Sequence, residues 1–399
     1  MNSNIIDNPV YSPLDLAPNS DVLAVGVKVL IVDLSREFGG ASSRVLTLMR
    51  NFPADQVAIA VLAESPIERE VRRLSLPVVV VGKNKANPLI LFRLISTIRN
   101  GRYQLLDTQN PQSKFWGSLA AWLTGISLVS TLNSWYVDEH GKNSIKGVLY
   151  ALLELGTNFS LDRYVVVSKS IFNALVRHRV DPSKIHLIYN AVDVGIDIPS
   201  SRESLLAKLN IPVDSTLIAT AGRFVWAKGF DDLVDAFRIV ASEKPNVYCL
   251  IAGDGELFFE IKSRIETAGL KDRVILLGQL SRDEVYSLIK SCDVFVMSSR
   301  SEGTPMVLLE AASLKKPILA TNVGGISELL KDEEECLLVP PGNLNAFAQG
   351  MIKILTEKKL SERMAQAAFL RVTRDFSVRN QVKDTLSAYA QALPEQNLV

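Results

Sequence analysis

Short, nearly unbroken runs of Val, Ile and Leu recur along this chain. Most are followed by a turn rich in Gly, Ser or Asn and then by a helix-forming stretch. A half-exposed strand would alternate apolar with polar residues, whereas a strand buried on both faces of a parallel sheet reads as a continuous apolar run. In the N-terminal half such runs are 28–32, 57–62, 78–81, 105–107, 128–132, 164–168 and 185–189. Helical stretches at 41–51, 88–98, 144–159 and 170–179 lie between them. A second series begins at Thr216 and runs strand, helix 231–241, strand 247–252, helix 256–268, strand 274–277, helix 282–290, strand 293–297, helix 305–314, strand 317–320. This alternation predicts an α/β protein with two parallel sheets, each covered by helices. Between the series, 194–215 holds Gly195, Pro199, Pro212 and a short helix, and reads as a linker. A length of 399 residues suits two such domains, each able to bury its own core.

Composition excludes several classes of function. A formal net charge of +1 provides no field to draw in nucleic acid. The cysteines, Cys249, Cys292 and Cys336, show no paired spacing, which suits a reducing compartment and no metal cluster. His140, His178 and His186 make no i, i+4 pair, so no metal site is expected. Residues 1–24 are polar, Pro-bearing and aperiodic, and read as a mobile arm without the basic start and apolar core of a signal peptide. The run 115–137 carries no charge and is long enough to span a bilayer. Gly117, Gly125, Asn133 and the absence of flanking basic clusters favour instead a buried helix over 115–123, a stop at Gly125, and a strand over 128–132.

The stretch with most chemical content is 298–313, Ser-Ser-Arg-Ser-Glu-Gly-Thr-Pro-Met-Val-Leu-Leu-Glu-Ala-Ala-Ser. It follows the apolar run 294–297. Thr304 suits a helix N-cap, Pro305 the first turn, and Met306 to Ala312 the helix. A helix N-terminus directs free N–H groups into the cleft at the strand end and favours anions. Glu302 lies on the loop, and Glu310 sits roughly 7–8 Å along the helix axis from Pro305. Phosphates at the N–H groups and sugar hydroxyls at the two carboxylates would fit. Spacing alone leaves open that both glutamates simply solvate the surface.

Other constellations occupy strand ends, where open α/β sheets bind ligands. Gly222-Arg223 and Lys228-Gly229 form a Gly-bounded basic turn, suited to phosphate oxygens or else a surface pair. Gly39-Gly40 opens the first helix after a strand, although two glycines there are often only a turn. Gly253-Asp254-Gly255-Glu256 reads best as a structural turn. Val323-Gly324-Gly325 either faces a diphosphate or turns the chain.

Taken together, Glu302 and Glu310 as E-x7-E, the two basic-turn motifs, Gly253–Glu256, Val323-Gly324-Gly325, Gly39-Gly40 and Asn190…Asp193 resemble the retaining glycosyltransferases of family 4, the nucleotide-sugar-dependent group with the GT-B fold. The resemblance spans about 27–376 and is strongest over 216–345. It implies two Rossmann-like domains facing across a deep cleft. Residues 25–193 would form the acceptor side, 216–375 would bind the donor, and 376–399 would cross back to the first domain as a helix. The implied donor contacts are Gly39, Gly40, Arg223, Lys228, Glu302, Gly303, Thr304, Met306, Val307 and Glu310. Arg223 and Lys228 would hold the diphosphate, Glu310 the ribose and Glu302 the transferred sugar. Glu302, Asn133, Arg223 and Lys228 would lie nearest the bond that breaks. The donor would be a nucleotide-diphosphate sugar, UDP in preference to GDP, with no cofactor or metal. The acceptor would be a glycan or lipid-linked hydroxyl in cell-surface polysaccharide or glycolipid synthesis. A cytoplasmic protein, peripheral at the inner face of the membrane, suits that chemistry.

One position departs from the family pattern. Members of that family commonly carry His at the end of the strand read as 128–132, where this chain has Asn133, a neutral amide that can bond a sugar hydroxyl without titrating. A nucleotide-sugar-binding subunit with little turnover, supporting a partner enzyme, is therefore the alternative to an active transferase. A sugar-nucleotide epimerase of this fold fits less well, because such enzymes lack the E-x7-E pattern.

Overall fold

A computed structural model describes residues 27–53, 55–135, 145–195 and 201–394. The first domain contains strands β1 (Val29–Asp33), β2 (Val57–Leu62), β3 (Val78–Gly82), β4 (Leu105–Thr108), β5 (Ser127–Leu132), β6 (Arg163–Val166) and β7 (Ile185–Leu187). Its helices are α1 (Gly40–Arg50), α2 (Pro66–Arg73), α3 (Leu89–Gly101), α4 (Pro111–Thr124), α5 (Ile145–Gly156) and α6 (Lys169–Arg177). After α7 (Arg202–Lys208), the second domain contains β8 (Thr216–Ala221), α8 (Phe230–Glu243), β9 (Val247–Ala252), α9 (Phe258–Thr267), β10 (Val274–Gly278) and α10 (Arg282–Ser291). It continues with β11 (Val294–Met297), α11 (Met306–Ser313), β12 (Ile318–Thr321), α12 (Ile326–Leu329), β13 (Leu337–Val339), α13 (Leu344–Thr356), α14 (Lys358–Asp375) and finally α15 (Val378–Ala392).

The sheets are parallel throughout, seven strands in the order β3-β2-β1-β4-β5-β6-β7 and six in the order β10-β9-β8-β11-β12-β13. Both are doubly wound, and the order reverses at β1/β4 and β8/β11, so each sheet has a crevice at its strand carboxyl ends. Apolar clusters fill both faces of each sheet. This is why strands such as β2, buried at every position, carry no polar alternation.

The last helix belongs to the first sheet, although it follows the second in sequence. Val378, Val382, Leu386 and Tyr389 of α15 are buried with Val29, Ile31, Leu105 and Val129. The Tyr389 hydroxyl donates to Asp107 Oδ2 at 2.6 Å, and Ser127 Oγ donates to the Ala392 carbonyl at 2.8 Å. The return path runs beside the outward one, with the Val192 N–H donating to the Phe376 carbonyl at 3.0 Å.

Some expectations need correction. The uncharged run 115–137 divides into α4 and β5, and α4 is buried on one face only, since Trp122 and Leu123 point outward. Among the described residues no helix is long and apolar enough to cross a membrane. Helix α2 was not anticipated. Ser65 caps it by accepting from the Glu68 N–H and Pro66 opens it, but its charged sequence hides the buried pair Ile67 and Val71. Strand β13 is too short to stand out as an apolar run.

Candidate active site

The carboxyl ends of the two sheets meet directly. Gly303 lies so close to the first domain that a Cβ on it would stand 2.6 Å from the Asn133 carbonyl oxygen, so only glycine fits. A Cβ on Gly40 would come within 3.3 Å of Met306 Cγ. Asn190 Nδ2 donates to the Thr304 carbonyl at 2.8 Å, and the Thr304 hydroxyl donates to the Val167 carbonyl. The expected side-chain cap at Thr304 is therefore overturned. Its hydroxyl is committed to the other domain, and Pro305 takes the N-cap position of α11 with no side-chain hydrogen bond. The first-turn N–H groups of α11, including those of Met306 and Val307, have no intrahelical acceptor, as at any helix start.

The basic turn faces this loop. Lys228 closes a single 3-10 turn, Trp226–Lys228, which ends at Gly229 in the left-handed conformation (φ 59°). A Cβ on Gly229 would stand 2.3 Å from the Ser298 carbonyl oxygen, so the turn can lie against the 298–305 loop only with glycine there. Lys228 Nζ then donates to Glu302 Oε1 at 2.6 Å, and Ser299 Oγ donates to the same oxygen at 2.6 Å. The Glu302 side chain is 7% exposed. Gly325 N–H donates to the Glu302 carbonyl at 3.2 Å, so Val323-Gly324-Gly325 backs the loop. The Gly253–Glu256 stretch has the structural part expected of it, since Phe224 N–H donates to the Asp254 carbonyl at 2.9 Å beneath the Arg223 turn.

Arg223 reaches across the cleft, where its Nη1 donates to Glu37 Oε2 at 2.8 Å, two residues before Gly39. Both side chains are substantially exposed, so this pair is weak and easily exchanged. Glu310 lies elsewhere. It is buried within α11, and burial pushes its carboxyl up to about 7, opposed by the nearby positive charge of Arg282. Arg282 also lies 3.8 Å from Asp193. Asn133 follows β5 in the cleft, and among the described residues neither polar atom of its occluded amide has a hydrogen-bond partner. His140 lies outside the described residues.

The structure thus joins Lys228 to Glu302, Gly303 to Asn133, Gly40 to Met306 and Arg223 to the loop before Gly39. It sets Glu310 apart from them, buried on α11 near Arg282. Val307 is half-buried on α11, packed into the second domain's core. Sequence reading missed Ser299, Arg282 and Glu37. Ser299 stands in the motif itself, three residues before Glu302, and was within reach. Arg282 and Glu37 come from distant elements and carried no signal.

Two family models match in succession, "Glycosyltransferase Family 4" over residues 38–195 and "Glycosyl transferases group 1" over 201–371. The chain belongs to glycosyltransferase family 4. This family 4 glycosyltransferase is 26% identical over 278 residues to the UDP-Gal:alpha-D-GlcNAc-diphosphoundecaprenol alpha-1,3-galactosyltransferase of Escherichia coli, covering 68% of this chain and 71% of that one. It is 30% identical over 264 residues to the phosphatidylinositol N-acetylglucosaminyltransferase GPI3 subunit of Saccharomyces cerevisiae, covering 64% of this chain and 57% of that one. Anabaena Alr3699/HepE, solved in complex with UDP-glucose, superposes with a TM-score of 0.81 at 22% identity over 92% of this chain and all of that one. That likeness establishes the GT-B fold of the family 4 glycosyltransferase described here.

Proposed function

We propose that this protein is a retaining hexosyltransferase that moves a sugar from a UDP-sugar to a lipid-linked or glycan hydroxyl in cell-surface polysaccharide or glycolipid synthesis. The observation that carries the reading is the Lys228–Glu302 ion pair of 2.6 Å, seated beside the start of α11 and opposite Gly39-Gly40. A part-buried pair of this kind binds no sugar by itself, but it sets a cation for the diphosphate beside a carboxylate for sugar hydroxyls. Arg223 adds a planar fork suited to phosphate oxygens once it leaves Glu37. The open N–H groups of α11 supply further donors. As the anomeric C–O bond breaks, negative charge grows on the departing phosphate oxygen. Preorganised cations and N–H groups stabilise that charge more than they stabilise the bound donor. Glu310, further along α11 from Glu302, would take the ribose hydroxyls. Asn133, whose amide has no partner among the described residues, would bond a hydroxyl of the transferred sugar.

The E. coli relative's UDP-galactose donor and diphosphoundecaprenol-linked acceptor support the donor class and the lipid-linked acceptor. The first domain, with its crevice facing the donor, takes the acceptor side. The reading is tested by incubating the protein with a UDP-sugar panel and GDP-mannose, with and without a GlcNAc-diphospholipid acceptor, and determining the product anomer by NMR. Nucleotide release with UDP-sugars and an α-linked product are expected from α-linked donors. A β-linked product would overturn the retaining assignment, and tight donor binding without release would favour the supporting-subunit reading.

A further inference from the structure

We infer that the outward face of α3, α4 and α5 is the surface by which this protein lies on an anionic lipid bilayer. More than half of the well-exposed large apolar side chains among the described residues are concentrated on this one side of the first domain. They are Leu89 and Phe92 on α3, Trp122 and Leu123 on α4, and Leu149 and Leu152 on α5, with Phe159 in the turn that follows. The three helices cover the same face of the first sheet, through Ile90, Leu94, Ala120, Ala121 and Ala151. They pack side by side, α3 on α4 and α4 on α5. Trp122 is 66% exposed and Leu152 is 63% exposed, whereas a soluble helix would normally place charge at such positions.

Charge is withheld from this face in a specific way. Between Pro111 and Thr124 the only charged residue is Lys114, and between Leu149 and Ser160 it is Glu154. Both point inward, where they pair at 2.8 Å with side chains 0% and 1% exposed. The ion pair therefore bolts α4 to α5 from beneath and leaves the outer surface of α4, and that of α5 from Leu149 onward, without charge. Beside them, 83–102 carries Lys83, Lys85, Arg93, Arg99 and Arg102 and no acidic residue. Lys85, Arg93, Arg99 and Arg102 are all exposed, and Glu64 lies 3.6 Å from Lys83. An apolar surface flanked by a helix whose only charges are basic complements lipid headgroups of negative charge. A second copy presenting the same face would bring like charges together.

The placement also suits delivery of an acceptor. Each helix in a parallel α/β sheet starts at the carboxyl end of the preceding strand, so α3 begins at the cleft end, where Leu89 and Phe92 lie. Trp122 and Leu123, at the other end of α4, lie on the order of 15 Å further down. A bilayer along this face would bring a lipid-linked hydroxyl to the rim of the cleft. For that purpose, though not for the surface itself, the inference rests on the transferase reading above.

The test is flotation of the full chain with phosphatidylcholine vesicles made with and without phosphatidylglycerol, beside Leu149→Glu/Leu152→Glu, Trp122→Glu and Arg93→Glu. Wild type should float with the anionic vesicles, and added salt should weaken this. The double variant should partition at least about tenfold less, and Arg93→Glu several-fold less. Melting temperature, UDP binding and donor hydrolysis in free solution should be unchanged in all three. Wild type that floats with neither vesicle, or a double variant that floats equally well, would overturn the inference. So would a wild-type dimer that the double variant dissolves without any vesicle binding, which would assign the face to a second copy. Vesicle binding by a wild type that fails to turn over any donor would count against the transferase reading alone.

Discussion

Asn133 is the residue where the site is least complete. Its amide is occluded and, among the described residues, unpartnered, an arrangement that costs about 1–3 kcal/mol unless something arrives to bond it. Asn133→Ala removes no hydrogen bond found among the described residues, so its melting temperature should equal or exceed that of wild type. Turnover should fall roughly 5- to 150-fold if the amide holds a sugar hydroxyl, with affinity for bare UDP unchanged. Thermal melts and steady-state rates on one preparation check this, and lost stability with an unchanged rate per folded molecule would show a structural amide instead. Glu310 gives a pH signature. Its carboxyl sits near 7 in the folded protein against an ordinary 4.5, so the stability associated with its protonated form is full below about 4.5 and is lost as pH rises through 7. Glu310→Gln should therefore raise the melting temperature at about pH 8 and leave it unchanged at about pH 4.5. Ribose hydroxyls donate to the carboxylate form, so wild-type UDP affinity should climb with pH through about 7 with release of protons, and the variant should bind weakly without that climb. Calorimetry in buffers of different ionisation enthalpy measures both. The motif residues themselves were legible because loop and helix carry them within one short stretch. Their partners were not, since Lys228 and Glu302 stand 74 positions apart and nothing local announces the contact.

At the scale of elements, α4 and α5 show what patterning conveys and what it hides. Uncharged sequence was read as burial, because an apolar run normally means core. Helix α4 is in fact half surface, and the charges Lys114 and Glu154 just outside the run are the buried part. Lys114 Nζ meets Glu154, the Tyr164 hydroxyl at 2.6 Å and the Glu154 carbonyl at 2.7 Å, and burial pulls its pKa down. Lys114→Met leaves a buried carboxylate without its partner and should cost about 3–5 kcal/mol, whereas Lys114→Met/Glu154→Leu should recover most of the loss. Urea midpoints for wild type, single and double variants decide this, and a double variant no more stable than the single would show that the pair does more than satisfy itself. Strand–helix alternation placed most elements within a few residues. It passed over α2, whose eight residues bury only one turn's worth of apolar side chain, and stopped before α12, β13, α13 and α14.

On the scale of the whole molecule, the two sheets share one chain twice. Val192 crosses outward, Phe376 and Ser377 return beside it, and α15 completes the first domain's core. Ending the chain after Arg374 removes Tyr389 from the buried Asp107, whose carboxyl burial already raises to about 6. It also removes several fully buried side chains, each worth on the order of 1.5–3 kcal/mol. The first domain of that truncation should unfold or aggregate while the second keeps its own transition, as two-probe calorimetry would show. A single unchanged transition would contradict it. Two domains were legible from the repeated alternation, and the return of α15 only from family resemblance, because its amphipathic pattern does not say which sheet it covers. The central claim is that the Arg223 and Lys228 turn holds a departing diphosphate. It is tested most directly by the rate of UDP release from the best UDP-sugar in wild type, Arg223→Ala, Arg223→Lys and Lys228→Ala. Each alanine variant should lose about 10²–10³ in turnover, the scale of one preorganised donor, and Arg223→Lys should recover only part. Near-normal rates in both alanine variants would contradict the claim.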